Sequence, residues 1–193
     1  MRDIPAVRNH APADVDAELV ERARDGDATA FGELVTRHRE LAMRVARVVA
    51  PAADLEDAVQ EAFVKAWFAL PRFRPGAPFR PWLCRIVANE AKNGTRSARR
   101  REALSLRAAP HGELDTTTSS PETAALVRDE AEALVRAMNG LRGDDRLVIA
   151  YRWLFEMSEM EMAEALDVPV GTVKSRLSRA MTKLRTRLAE DAT

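Results

Sequence analysis

The chain has 193 residues, enough for one ordinary domain or two small ones, and 46% are apolar, so a packed core is within reach. Lys and Arg together number 30, as do Asp and Glu, so net charge says nothing about partners. The single cysteine, Cys84, excludes an intramolecular disulfide and argues against a cysteine-based metal site. Aromatics are only 5%, while Ala, Leu, Arg and Glu dominate, a composition that favours helix. No run approaches the roughly 20 apolar residues of a membrane span, and the N-terminus "MRDIPAVRNHAPAD" has no signal-peptide core. Both observations point to a cytoplasmic protein without membrane insertion.

Residues 1–13 carry two prolines and no periodicity, and are read as a disordered tail. Asp14 or Asp16 can cap a short helix through Leu19, Val20 and Ala23, ended by Gly26. Asp27 can cap the next, whose apolar positions run from Phe31, Leu34 and Val35 to Val45, Val48 and Val49 before Pro51. His38 lies on that seam, where a satisfied, partly buried histidine is expected rather than a ligand.

"DLEDAVQEAFVKAWFAL" follows, with Asp54 and Asp57 as a capping pair. Leu55, Ala58, Val59, Ala62, Phe63, Ala66, Trp67 and Leu70 form its buried stripe. The opposite face offers Glu56, Asp57, Gln60 and Glu61. Acids in a first turn also favour the helix dipole, and no histidine stands at ligand spacing, so no metal is expected here. "PRFRPGAPFRPW" is a loop rich in Pro and Arg, and Pro81 suits a helix start. Beyond it Trp82, Leu83, Ile86 and Val87 can face a core. Arg85, Asn89, Lys92, Arg96 and Arg99 recur at spacings of four, three, four and three, which lays one basic stripe along the helix.

From about Glu102 the periodicity stops, and "HGELDTTTSSPE" reads as a linker. A second helical lobe starts near Pro121, breaks at Asn139-Gly140, and resumes at Asp144 or Asp145 with Leu147, Val148, Tyr151 and Leu154. Ser158 and Glu161 form a capping box. "DVPVG" breaks that helix, and Val170 to Thr172 start another with Val173, Leu177, Ala180, Met181 and Leu184 as its seam. The result is a helix-turn-helix, whose second helix can enter a major groove with its N-terminal residues against base edges. Thr172, Lys174, Ser175, Arg176, Ser178, Arg179 and Lys183 have the required chemistry. Arg can bind guanine in bidentate fashion, whereas Lys and Ser often hold phosphates.

The charges are segregated. Arg72 to Arg107 contains ten cations and two acids, Gly171 to Leu188 six cations and no acid, and Asp54 to Glu61 four acids and no cation. Separate surfaces for separate partners explain this, although any one run could be a solvated helix face.

The chain resembles bacterial sigma factors of the extracytoplasmic-function (ECF) group, which keep only sigma regions 2 and 4. "DLEDAVQEAFVKAW" resembles the region 2 helix that docks on the clamp of core RNA polymerase. "FRPWLCRIVANEAKN" is similar to the helix that reads and opens the promoter −10 element, and "VPVGTVKSRLSRAMTKLR" to the region 4 helix that reads the −35 element. The resemblance implies an all-α protein of two small helical domains: region 2 over 14–101, a flexible linker over 102–122 and region 4 over 123–190. It implies core binding through Asp54, Glu56, Asp57, Gln60 and Glu61. It implies −10 DNA binding through Phe73, Phe79, Arg80, Arg85, Asn89, Lys92, Asn93, Arg96 and Arg99, and −35 binding through the helix-turn-helix residues named above. The expected partners are core RNA polymerase, promoter DNA and an anti-sigma factor, with no cofactor and no catalysis by the chain itself.

The sequence departs from the family pattern in places. Glu159 and Met160 stand where an aromatic and a polar residue are usual, Asp167 replaces a turn glycine, and Phe155 and Glu156 stand where an acid and a glycine are common. Asp tolerates the left-handed conformation, so the turn is expected to survive. Phe155, Met157 and Met160 are expected to pack locally, although an apolar patch there could bind a regulator. Two rivals are a stand-alone dimeric helix-turn-helix regulator and a metal-dependent hydrolase using Glu56, Asp57 and Glu61.

Overall fold

The computed structural model describes residues 13–51, 54–104 and 123–191, and among these there is no strand. Four helices form the first lobe: α1 (Ala13–Arg24), α2 (Ala28–Val49), α3 (Leu55–Ala69) and α4 (Phe79–Leu104). Four more form the second: α5 (Thr123–Asn139), α6 (Gly143–Trp153), α7 (Glu159–Leu166) and α8 (Val170–Asp191). The all-α, two-lobed expectation therefore describes the chain. The expected tail as far as residue 12, and the expected linker from 105 to 122, lie outside the described residues.

Local chemistry sets the element boundaries. Gly26 takes φ +96°, which only glycine adopts without cost, and so turns the chain from α1 to α2. Asp27 then caps α2, one carboxylate oxygen accepting from the Thr29 and Ala30 amides while the other holds Arg22 at 2.7 Å. Asp54 caps α3 through the Asp57 amide. α4 begins at Phe79, two residues before the proline expected to start it. Pro81 falls among the first four residues, whose amides have no helical acceptor, and is tolerated there.

Asp16 corrects one expectation. It lies inside α1, buried, and reaches across to α2, with Arg37 at 2.7 Å and His38 Nε2 at 2.9 Å. Burial would raise its carboxyl pKa, but the hydrogen bonds and charges of His38 and Arg37 outweigh it, and the value lies below the usual 3.8. His38 is thus the satisfied core histidine expected from its place on the seam. Leu34, Val45, Ala62, Ala66, Leu83 and Val87 fill the space between α2, α3 and α4. Lys65 ties α3 to α4 through Glu90 at 2.6 Å.

The two lobes pack against each other. Arg146 of α6 is buried, and its guanidinium donates to the Val48 and Val49 carbonyls at the end of α2 and to Asn139 (3.1 Å) at the end of α5. One cation thus serves two helix C-termini, where carbonyls lack helical partners and the dipole is negative. Tyr151, fully buried, donates its hydroxyl to the Cys84 carbonyl of α4 at 3.3 Å. Leu154 is half exposed rather than inward, because α6 ends at Trp153.

Candidate nucleic-acid interface

α7 and α8 form the helix-turn-helix. Ser158 and Glu161 make the reciprocal capping box at the start of α7. Its end is a left-handed turn: Asp167 sits at φ +53°, and the Val168 amide reaches back to the Ala163 carbonyl at 3.0 Å. The turn therefore survives the loss of its glycine. Val173 and Ala180 are fully buried and Leu184 nearly so, which fixes the roll of α8 and turns the cations outward. Lys174, Ser175, Arg176, Ser178, Arg179 and Lys183 are exposed, and Thr172 is half-buried. Their engagements differ. Lys174 lies 3.4 Å from Glu159, Lys183 lies 2.6 Å from Asp145, and Arg179 donates to the Ser175 carbonyl. Arg176 makes no ion pair with any described residue.

The stripe on α4 also faces outward, but much of it is occupied. Arg85 is 3.1 Å from Asp167, Lys92 is 2.6 Å from Asp144, and Arg80 donates to the Phe155 carbonyl at 2.6 Å. All three acceptors belong to the second lobe. Asn89, Asn93 and Arg96 are exposed. The Arg99 side chain lies outside the described residues. Phe73 and Phe79 require a correction: both are 4% exposed and pack with Trp82, at centroid distances of 4.8 and 5.5 Å. Their rings hold the loop onto the core and are not presented to a strand. Sequence could not separate the two roles, because an aromatic beside arginines suits either.

On α3, Asp57 and Gln60 are exposed and point away from the core. Glu56 pairs with Arg39 at 3.6 Å and Glu61 with Lys65 at 3.5 Å. These acids are spread along a face, each beside its own cation, and no group of three metal-ligating side chains gathers among the described residues. A groove of about 560 Å³ between α2 and α3 adjoins them, with Val64 and Phe68 on it, the latter 75% exposed. Sequence reasoning missed this groove. The signal was present, since Val64 and Phe68 are large apolar residues off the buried stripe.

The departures near Phe155 have a structural reading. Phe155 and Met157 are buried, so local packing holds for them, whereas Met160 is 76% exposed. Glu156 adopts φ +52°, which explains why glycine is common there.

Comparison with known proteins decides what these faces belong to. Residues 34–101 match the family described as Sigma-70 region 2, and residues 131–184 match Sigma-70, region 4. The ECF RNA polymerase sigma-E factor of Escherichia coli (strain K12) is 39% identical over 172 residues, covering 86% of this chain and 90% of that one. The chain belongs to the ECF RNA polymerase sigma factors. It is a transcription initiation factor that binds core RNA polymerase and directs promoter recognition. The RNA polymerase sigma factor NccH of Alcaligenes xylosoxydans xylosoxydans is 36% identical, covering 88% of this chain and 92% of that one. Among solved structures, CnrH in complex with the cytosolic domain of CnrY is 32% identical with a TM-score of 0.64, covering 93% of this sigma factor and 99% of that chain. The sigma factor RpoE of Bartonella quintana, solved with the anti-sigma factor NepR, shares the fold at a TM-score of 0.66 and 24% identity, over 82% of this chain and 96% of that one.

Proposed function

We propose that this sigma factor divides promoter recognition among three faces. The exposed N-terminal half of α8 reads the −35 duplex: Arg176 meets a base edge, while Lys174, Ser175, Ser178, Arg179 and Lys183 hold or flank phosphates. Arg80, Arg85, Asn89, Lys92, Asn93, Arg96 and Arg99 along α4 hold the non-template strand at the −10 element. Unstacking a base costs a few kcal/mol, which a pocket and phosphate contacts offset. Asp54, Glu56, Asp57, Gln60 and Glu61 on α3 dock on the polymerase clamp, with the neighbouring α2–α3 groove supplying apolar contact. The domains would be 14–101 and 123–190.

The observation that carries this reading is the geometry of α8. A capping box, a left-handed turn and a buried seam fix a helix whose Arg176, unpaired among the described residues, faces solvent within its first two turns. A stand-alone regulator would account for α7 and α8 but leaves the acidic and basic faces of the first lobe without a purpose.

The protein acts in the cytoplasm with the polymerase; among the described residues no helix is long and apolar enough to cross a membrane. CnrH was solved in complex with the cytosolic domain of CnrY and the Bartonella quintana RpoE with the anti-sigma factor NepR, and an anti-sigma factor of this chain would cover the faces proposed here. Run-off transcription with purified core polymerase on a genomic DNA library tests the reading. Discrete transcripts sharing two upstream elements are expected. Core that starts no more selectively with the chain than without it would refute the proposal.

A further inference from the structure

A cavity of about 400 Å³ opens between the turn joining α5 to α6 and the C-terminal half of α8. Its cations are Arg142 on the turn and Lys183 and Arg187 on the helix. Lys183 is matched by Asp145 at 2.6 Å, an acid whose side chain is only 18% exposed. Arg142 and Arg187 are exposed and make no ion pair with any described residue. Two guanidinium groups on one cavity repel each other, and an anion between them removes that repulsion.

The place of Arg187 depends on Gly140. A methyl group at Gly140 would lie 2.8 Å from the Arg187 Cζ, closer than side-chain carbons pack. The Gly140 backbone is not left-handed, so alanine fits the chain there and only the Arg187 side chain has to move. The turn itself is held firmly. The Gly140 amide donates to the Arg136 carbonyl and the Leu141 amide to that of Met138, each at 3.0 Å, and Leu141 is buried. The cavity is also continuous with the proposed reading face. Arg176, Arg179, Lys183 and Arg187 follow at spacings of three, four and four, so one basic edge of α8 runs into it. Arg187 stands three turns past Arg176, roughly 16 Å along the axis. The major groove is about 12 Å wide, so a side chain that far along has passed the base edges and meets the backbone bordering them.

We infer that Arg142 and Arg187 together grip one backbone phosphate of the duplex beside the −35 element, and that Gly140 is the positioning residue that lets Arg187 reach it. This rests on the assignment of α8 to the −35 duplex. A guanidinium takes two phosphate oxygens at once, which fixes orientation as well as adding attraction. Such a contact sets the register of the helix on the duplex and carries no sequence information.

The test uses the whole chain assembled with core polymerase, on a promoter obtained by run-off transcription. Neutral methylphosphonate linkages replace, one at a time, the phosphates bordering the −35 element. Arg187→Ala should bind the native promoter about three- to tenfold more weakly at low salt, lower the salt slope by about one unit and become insensitive to one of those linkages. Arg142→Ala should become insensitive to the same linkage. Gly140→Ala keeps both cations, yet it should reproduce the loss at that linkage and add nothing to Arg187→Ala. Arg185→Ala removes the same charge from α8 outside the cavity and should stay sensitive to every linkage. The ranking of −35 sequences should be unchanged in all four variants. Arginine variants that still respond to every linkage overturn the inference. A Gly140→Ala protein that binds as wild type, or whose loss adds to that of Arg187→Ala, overturns the positioning role. Should Gly140→Ala not fold, the two arginine variants decide alone. If Arg176→Ala leaves the ranking of −35 sequences intact while Arg187→Ala loses one linkage, the reading face has failed and the phosphate grip stands. The reverse pattern sinks the grip alone.

Discussion

α4 and α8 each carry a basic face, and the structure treats them differently. On α8, Lys174 and Lys183 pair with Glu159 and Asp145 of their own lobe, and Arg176 is unpaired among the described residues. On α4, Arg85 and Lys92 are matched by acids and Arg80 by a carbonyl of the other lobe, while Arg96 is exposed. The contrast fits their targets. A duplex is always available, and a rigid helix of fixed roll can read it at any time. A melted strand exists only after the polymerase is in place, and α4 is proposed to hold it there.

The largest effect expected from breaking this contrast is at Arg176. Arg176→Ala should cost on the order of 1–3 kcal/mol and relax preference at one −35 position. Binding of the chain to a panel of −35 duplex variants measures both. An unchanged order and spacing of affinities would turn the reading face toward Ser175, Ser178 and Arg179. Next is the acidic face of α3, which should touch no DNA. Asp57→Arg with Gln60→Ala should weaken assembly with core about tenfold, or ~1.4 kcal/mol. Circular dichroism and affinity for −35 duplex should stay the same. A folded variant with normal assembly would remove α3 from the docking face. Lys174→Ala should weaken binding to every sequence alike and lower the salt slope by about one unit, because it neutralises one phosphate rather than reading a base. A titration across salt concentrations separates it from Arg176. The smallest effect is at Glu156, at φ +52° beside the joint. Glu156→Gly should stabilise the fold by roughly 0.5–1 kcal/mol, since relief of left-handed strain exceeds the added chain entropy. Thermal melting checks it, and a loss of stability would mean that the side chain itself contributes there.

Most of the fold was legible because its signals are local. The Ser158–Glu161 box, the turn at Asp167, the cap at Asp27 and the apolar seam of α2 each follow from residues a few positions apart. What was not legible depends on which distant groups meet. Nothing in the sequence singles out Arg146, yet it is buried against the end of α2, 97 residues away. Asp16 is one of two candidate caps in the sequence, with Asp14, and is instead the partner of His38. The resemblance implies −10 DNA binding for Phe73 and Phe79, but both are core, because the loop that carries them folds back onto Trp82. The same holds for the candidate site. The spacing of its cations was visible in the sequence, while the acids that cover two of them lie in the other lobe.

The division of labour between α4 and α8 is tested most directly by open-complex formation with core polymerase, using a duplex promoter and the same fragment already unpaired across the −10 element. Permanganate reactivity of thymines is the readout, for Asn89→Ala beside Arg176→Ala. Asn89 is exposed on the α4 stripe, between the paired Arg85 and Lys92. Its loss should reduce opening of the duplex up to about tenfold, in keeping with the ~0.5–1.5 kcal/mol of one hydrogen bond, and matter far less on the unpaired template. Arg176→Ala should reduce signal on both templates alike. Equal losses for Asn89→Ala on the two templates would contradict the account, because α4 would then act in docking or folding rather than in holding the opened strand.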